Sequence, residues 1–593
     1  MADLPRPIRI ALTAVAVSLL AWPVIGQQSA TEPGVPASET DAPPPKSLLP
    51  DAFDTPAIQT SPDASLIEAA PAVTAPPLLP TPAPSAEIVD PFATAAPTGR
   101  DITVFGPLTL ETGGYGLGTF TGSRGPFLAG LANRIAAPIG SRWAAITLRR
   151  ALLSESAAPY GITPGDWVAV RAWLLMRMGE IDGAKALTDR VPIDRYSPAL
   201  YRVAGQVALA AADINGLCPI AQTGQLLSKD PLWKLAIGMC AAIQGDDITA
   251  ARIFDDLRED EKSVEPFDVR LGERVATVAG GAGRATNIDW AEAPPLTPFR
   301  YGVATGAGVA IPAGKFAGLG PAHYGWVVRA PGVDPAVRLA ALGPAAVLGT
   351  MSVAELVSGV AALSPGDAAA DTRAGHLRTA FAGASMADRR NAIKAIWTTG
   401  ASGDARYAAL LESAPAAARL PVSADSAADS ADIIAALLAA GDADAARRWW
   451  PIADKQGGKV RAQAWALLAA GSSNSVPATP SDFNAWRSAT GADARHAGLL
   501  FAALAGLGAA NGSEWESLRT DLLPRAANSW TRAIDAAAAA RRTGEVAILT
   551  GTGLQGPWAQ VSPLHLYHIT AALNRVGRTQ EARLIAAEAL TRS

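Results

Sequence analysis

A recurring turn constrains the fold of this 593-residue chain more than any other feature. Turns are predicted at residues 179–180, 212–213 and 245–246, which stand 33 residues apart, and a helical pattern follows each one. Further glycines interrupt the C-terminal half at intervals of 30 to 37 residues: Gly441, Gly471, Gly508, Gly544 and Gly577. A glycine ends one helix, small residues let the next helix cross it closely, and adjacent pairs bury a continuous core. The period therefore predicts an all-α protein built from stacked helix pairs.

Two of these units also carry small and large residues at the spacing of a known repeat. The matching positions are Gly238, Gly245, Ala250 and Phe254 in one unit, and Leu573, Gly577, Ala582 and Ala589 in the last. Over residues 165–280 and 400–593 the chain resembles the tetratricopeptide-like superhelical proteins. The resemblance implies a helical-repeat solenoid with a period of about 33 residues, in which damage to one pair stays local. A generic array of α-hairpins would give nearly the same pattern.

The N-terminus has the order of segments expected of an export signal. Two arginines precede an apolar run that begins at Ile10, and small or β-branched residues lead up to Gly26. This order predicts a signal peptide over residues 1–26 and therefore a periplasmic or otherwise exported protein. Residues 10–26 are also about the minimum length for a spanning helix, so an uncleaved inner-membrane anchor is the alternative.

Composition divides the rest of the chain into four parts. Residues 27–100 are rich in proline and alanine and poor in aromatic side chains, which predicts a disordered tether. Residues 101–283 form an N-terminal helical-repeat lobe, which begins with a Gly-rich stretch at 102–120 that either contains a short hairpin or lies extended on the first helices. Residues 284–335 form an irregular connection, because their prolines exclude long helices. Residues 336–593 form a C-terminal helical-repeat lobe.

Cys218 and Cys240 are the only cysteines of the chain. They stand at equal distances from a predicted turn at residues 228–230, with Asp230 as the N-cap of the second helix. Equal distance from the turn brings two residues of an antiparallel helix pair face to face, and an exported location permits oxidation. We therefore expect a disulfide; the alternative is two buried thiols.

One glycine-rich motif matches a cofactor fingerprint in letters only. Residues 551–556, GTGLQG, follow the dinucleotide-binding pattern, but Pro557 comes next and no acidic residue appears before Glu581. The end of a helix followed by a turn explains the motif better. We assign no cofactor-binding residue.

The candidate catalytic and metal-binding side chains also lack the further motif residues that such sites require. His565 and His568 lie on one predicted helix face without a third ligand, so we expect capping or solvent-facing histidines. The Glu-Ser pairs that begin at Glu155, Glu412 and Glu516 lack the continuation used by lytic transglycosylases, and each is interpreted as a solvated helix position. We assign no catalytic and no metal-binding residue.

Trp449 and Trp450 form the most conspicuous aromatic cluster. The repeat pattern gives Trp450 a large-aromatic core position. The alternative is that the pair belongs to an interaction surface, since solenoids bind ligands and peptides in their grooves.

The overall charge limits the class of partner. A net charge of −4 offers no positive field for nucleic acid or for an anionic membrane surface. The sequence therefore predicts a non-enzymatic envelope protein, a scaffold or protein-binding module for other envelope proteins. It would contact a membrane only if residues 10–26 are retained. The alternative is a cell-wall or polysaccharide-acting enzyme or an accessory subunit of one.

Overall fold

A computed structural model describes residues 101–260, 264–280, 287–291, 293–364, 372–400, 403–473, 476–523 and 527–593. The predicted signal peptide and the predicted tether lie outside the described residues. Within the described ranges there are 27 α-helices and two short strands, so the all-α prediction is confirmed.

The first eleven helices extend through the predicted N-terminal lobe and the connection. Their bounds are α1 Gly125–Arg134, α2 Arg142–Leu153, α3 Pro164–Arg177, α4 Ile181–Thr188, α5 Pro198–Ala210, α6 Cys218–Leu227, α7 Pro231–Ile243, α8 Asp247–Glu259, α9 Pro266–Val278, α10 Pro298–Gly306 and α11 His323–Arg329.

The other sixteen helices follow in the C-terminal part. Their bounds are α12 Pro335–Val347, α13 Val353–Leu363, α14 Arg373–Ala382, α15 Met386–Thr399, α16 Gly403–Ala417, α17 Ser430–Ala440, α18 Ala443–Arg447, α19 Trp450–Ala453, α20 Gly458–Gly471, α21 Pro480–Thr490, α22 Ala494–Gly506, α23 Glu516–Leu522, α24 Ser529–Ala539, α25 Thr543–Gly553, α26 Pro563–Arg575 and α27 Thr579–Arg592.

A recurrent start signal explains where many helices begin. Proline occupies the first helical position, where its missing N–H costs nothing, and the residue before it accepts a hydrogen bond from a backbone N–H. Thr163 caps α3 and Asp230 caps α7 in this way, as predicted. The same arrangement recurs at α5, α10, α12, α21 and α26.

Most of the predicted turns have left-handed backbone conformations. Gly179, Gly245 and Gly441 have φ values of 87°, 82° and 90°, which a glycine adopts without steric cost. Ala212 occupies the corresponding position of the second turn at a φ of 54°. The turns thus share one geometry, although one of them lacks the glycine that suits it.

The lead-in before α1 contains no hairpin. Its strand β1 (Val104–Phe105) pairs antiparallel with β2 (Ser156–Ala157), which follows α2. Farther along the lead-in, the Gly544 backbone N–H donates to the Thr119 carbonyl oxygen at 2.8 Å. The lead-in therefore lies between the first helices and the last ones.

The described part of the connection, residues 287–291 and 293–335, contains only short helices, as its prolines predict. The Tyr301 ring packs between Phe316 and Trp326, with ring centroids 6.3 and 5.8 Å away. Trp326 Nε1 donates to the Met176 carbonyl oxygen at 3.1 Å. The connection thus packs against the end of α3 through its aromatic side chains.

The last helix occupies the middle of its neighbours. Helix α27 contacts α2, α16, α17, α20, α22 and α26, and α2 also packs on α25. This differs from the expectation that the final pair contacts mainly its sequence neighbours. The cause is the small size and the burial of residues around the whole helix, among them Ala582, Ala586 and Ala589, because short side chains admit close neighbours on several sides.

A buried carboxylate joins the last helix to the second one. Glu588 accepts hydrogen bonds from Ser141 Oγ at 2.7 Å and from the backbone N–H groups of Arg142 and Trp143 at 2.8 and 3.1 Å. It also pairs with Arg592 on its own helix. The N-terminus of α2 therefore has its local N-cap, Ser141, and a second acceptor from α27. The dipole of a helix favours negative charge at that end.

Candidate functional site

A groove in the C-terminal part of the fold is the candidate site. It encloses about 410 Å³ and is lined by side chains from α16, α17, α20, α21, α22 and α27. Ligand sites in proteins have volumes of roughly 300–1,000 Å³, so this groove has room for a small molecule or a few residues of a peptide.

The floor of the groove is apolar. Ala431 and Ala435 of α17 and Ala466 of α20 face it, with Leu410 and Trp486 beside them. The larger side chains hold the helices apart, and the alanine methyl groups are too short to fill the space between them. An alanine-rich helix sequence thus produces a hollow here instead of a closed core.

Arg406 and Asp432 form one side of the rim. Arg406 Nη2 donates to Asp432 Oδ1 at 2.7 Å, and Nη1 donates to the Trp397 carbonyl oxygen at 3.0 Å. The guanidinium also lies 5.6 Å from the centroid of the Trp397 ring, a cation–π distance. Three contacts therefore fix this charge at the edge of the groove.

The opposite side of the rim is the start of α22. Asp493 caps this helix by accepting from the His496 backbone N–H at 2.8 Å, and its carboxylate also lies 2.8 Å from His496 Nδ1. The hydrogen bonds from the backbone and ring of His496 lower the pKa of Asp493. Gly491, at a φ of 68°, ends α21 just before this rim. The carboxylate is thus held ionised at the edge of the groove.

This arrangement suits an extended amphipathic segment. The floor can accept small apolar side chains, while Gln463 on α20 and the two rims offer donors and acceptors to a peptide backbone. The groove therefore combines apolar burial with directional hydrogen bonding.

The aromatic pair singled out in the sequence lies elsewhere. Trp449 is only 2% exposed and Trp450 is half-buried, so the interpretation of Trp450 as the core residue of the pair is wrong. The Arg461 guanidinium lies 5.6 Å from the centroid of the Trp450 ring. Neither tryptophan lines the groove, and only Trp450 presents surface to a partner.

The two cysteines meet as predicted. The sulfur atoms of Cys218 and Cys240 lie 1.98 Å apart, at disulfide distance, and their Cα atoms are 5.5 Å apart. The bond links the start of α6 to the end of α7, the antiparallel pair inferred from their equal distances to the turn.

The two histidines of the pair have different partners. The His565 ring packs on Trp530, with 4.4 Å between ring centroids, whereas His568 Nδ1 lies 2.8 Å from Asp535 Oδ1. In the part of the chain that the structure describes, no group of three or more His, Cys, Asp or Glu side chains could hold a metal ion.

The glycine-rich motif at 551–556 is a helix end, as interpreted. Helix α25 ends at Gly553, and the Leu554 carbonyl oxygen accepts a hydrogen bond from the Gly140 N–H at 3.0 Å. A Cβ atom on Gly140 would collide with the Gly556 carbonyl oxygen. These glycines let the start of α2 approach the end of α25 closely.

The interpretation of the Glu-Ser pairs as solvated helix positions is wrong for two of them. Glu412 is 3% exposed, and its Oε2 lies 2.6 Å from Arg373 Nη2, because α16 is enclosed by α12, α14, α15 and α17. Glu155 is half-buried and lies outside the helices, while Glu516 is exposed at the start of α23. None of the three lines the groove.

Sequence reasoning missed the groove residues. Ala431, Ala435 and Ala466 look like ordinary positions of alanine-rich helices, and their convergence depends on packing between helices distant in sequence. The available signal was the N-cap pattern at Asp493, which locates a helix start but not its neighbours.

Comparison with known proteins finds no matching family model, no matching curated protein and no matching solved structure. Among the helices that the structure describes, none has the length and hydropathy needed to cross a membrane.

Proposed function

We propose that this chain is a non-enzymatic envelope protein, exported by its N-terminal signal, which binds another envelope protein. The groove among α16, α17, α20, α21, α22 and α27 receives an extended segment of that partner. The observation that carries this proposal is the groove itself, with its alanine floor and its two polar rims.

Two features support an exported protein. Residues 1–26 have the composition of a signal peptide, with an uncleaved anchor as the alternative. The bond between Cys218 and Cys240 is compatible with an oxidising compartment, where disulfides persist.

The fold proposed for this function is a helical-repeat array similar to tetratricopeptide proteins. Helices α3 and α4 pack as a pair, α3 also packs on α5, and α7 likewise packs on both α8 and α9. Such arrays present long surfaces for protein partners. In this proposal residues 27–100 act as the tether that carries the array.

Site-specific photo-crosslinking in cells tests the proposal. A photoreactive residue at Gln463, on the wall of the groove, should give a discrete crosslinked product with a protein of the envelope fraction. The same residue at the exposed position of Lys455, outside the groove, serves as the matched control.

A groove-filling substitution provides the second arm. Ala435→Leu puts a larger side chain into the floor, so the product from position 463 should disappear while the circular-dichroism spectrum stays unchanged. Equal crosslinking from position 455, or crosslinking that persists in the Ala435→Leu protein, would contradict binding in the groove.

A further inference from the structure

A second cavity lies apart from the groove, at the junction of the lead-in, α2, the turn between α3 and α4, and α11. It encloses about 420 Å³. Arg149 and Arg150 of α2 and Arg329 of α11 line it, together with Glu180 and Asp182. Its wall is therefore much more highly charged than the floor of the groove.

The two arginines of α2 keep spare hydrogen-bond donors. Arg149 uses Nη1 to donate to Glu180 at 3.2 Å and to the Gly349 carbonyl oxygen at 3.3 Å. Arg150 donates from Nε to the Gly113 carbonyl oxygen at 2.6 Å and from Nη1 to Glu581 at 3.1 Å. Among the described residues, the Nη2 group of each has no hydrogen-bond partner, although both side chains are anchored.

Arg329 has a contact at each of its three guanidinium nitrogens and forms a fixed wall of the cavity. Its Nε lies 3.2 Å from Asp182 Oδ2, Nη1 donates to Glu355 at 2.5 Å, and Nη2 donates to the Thr350 carbonyl oxygen at 3.0 Å. The guanidinium nitrogens of this cavity that have no partner among the described residues therefore belong to Arg149 and Arg150.

The charge balance disfavours a ligand with two negative charges. The three lining arginines, together with Arg578 beside Tyr115, are matched by four carboxylates: Glu180, Asp182, Glu355 and Glu581. A monoanion can use the spare guanidinium donors, whereas a dianion would meet stronger repulsion from the carboxylates around it.

An apolar wall faces the arginines. Leu108 from the lead-in, Leu153 at the end of α2 and Ile181 at the start of α4 line the same cavity. These side chains would cover a short apolar group attached to the anion and exclude water from it.

We propose that this cavity binds a carboxylate attached to a short apolar group, with the carboxylate accepting hydrogen bonds from Nη2 of Arg149 and Arg150. Guanidinium groups match the planar geometry of a carboxylate. Two sources share this chemistry: a small organic acid and the free carboxyl end of a peptide. The site is independent of the groove and of the partner proposed for it.

Calorimetric titration of the full chain with matched pairs of ligands tests this site. Propionate and the dipeptide alanyl-alanine should bind, whereas propionamide and the C-terminally amidated dipeptide should not. Inorganic phosphate should bind at least about tenfold more weakly than propionate, because it carries more charge at neutral pH. Tighter binding of the dipeptide than of propionate would identify a peptide end, and the reverse order a small acid. Equal binding of acids and amides, or no binding, overturns the proposal.

Variants locate the binding in this cavity. Arg150→Lys keeps the charge but loses the second donor group, and should weaken propionate binding by about tenfold. Arg373→Lys is the matched control, since Arg373 is also a half-exposed arginine paired with a buried glutamate and lies outside both cavities.

A surface substitution covers the case in which the Arg150 variant fails to fold. Thr112 is exposed at the edge of the cavity, so a charge introduced there does not disturb the core. Thr112→Glu should weaken propionate binding, and Thr112→Lys should not. Identical affinities for these two variants would overturn the assignment of the site.

Discussion

At the scale of single residues, Glu588 joins two helices that lie far apart in the sequence, α27 and α2. Its carboxylate caps α2 and is fully buried beside Arg592. Glu588→Gln removes the charge and places an amide against backbone donors, so we expect a loss of about 3 kcal/mol in the free energy of unfolding. Urea denaturation measures it. Glu259→Gln, on the exposed side of α8, is the control and should change stability by less than about 0.5 kcal/mol.

Ala212 carries strain that the other turns avoid. A left-handed φ costs an alanine roughly 1–2 kcal/mol, while a glycine pays about 0.5–1 kcal/mol in additional chain entropy. Ala212→Gly should therefore stabilise the protein by up to about 1 kcal/mol, seen as a higher midpoint of urea unfolding. A lower midpoint would show that the methyl group contributes packing that outweighs the strain.

The lowered pKa of Glu355 predicts that the stability of the protein depends on pH. Burial alone would raise its pKa, but hydrogen bonds from Arg329 and from the Ser352 backbone outweigh burial and lower the pKa to about 2. Because the folded-state pKa lies below the usual value of 4.5, the stabilisation is complete above pH 4.5 and is lost as the pH falls towards 2. The difference in melting temperature between the wild-type protein and Glu355→Gln should shrink over that range. A constant difference from pH 6 to pH 2 would exclude this role.

At the scale of elements, the disulfide between α6 and α7 gives the clearest prediction. It closes a loop with a sequence separation of 22 residues, which on the chain-entropy model stabilises the protein by about 3 kcal/mol. Cys218 and Cys240 should resist alkylation in freshly isolated protein until a reductant is added, and the Cys218→Ser, Cys240→Ser double variant should unfold at lower urea. Labelling of both thiols without reductant would show that the disulfide is not formed.

The helix elements also show what the sequence predicts and what it does not. The starts of α3 and α7 follow from Thr163-Pro164 and Asp230-Pro231, because capping depends only on residues close in the chain. The contacts of Glu588 with residues 141–143 could not be predicted in this way, because those residues precede it by more than 440 positions. The alanine floor of the groove could not be predicted for the same reason, because it is formed by helices that are distant in the sequence.

At the scale of the whole molecule, α27 couples both halves of the fold. Ala582 is fully buried on this helix, so Ala582→Phe should overpack its surroundings by about 1–3 kcal/mol. Because α27 contacts α2, α20 and α22, amide exchange should accelerate in all of these helices and not only in the last pair.

A matched substitution separates a central position from a peripheral one. Ala380 is also buried but lies on α14, which packs on α13, α15 and α16. Ala380→Phe should raise exchange only in those helices. Exchange confined to residues 563–593 in the Ala582→Phe protein would instead support independent helix pairs.

The position of Glu588 has a consequence for biosynthesis. The ribosome produces α2 hundreds of residues before Glu588, so the start of this helix has only its local cap, Ser141, while the middle of the chain is being made. Helix α27 must leave the ribosome before it can pack with α2. Arrest of synthesis just before residue 579 should therefore leave even the early helices open to a protease. Helix α2 therefore gains its full set of contacts only after α27 has been synthesised.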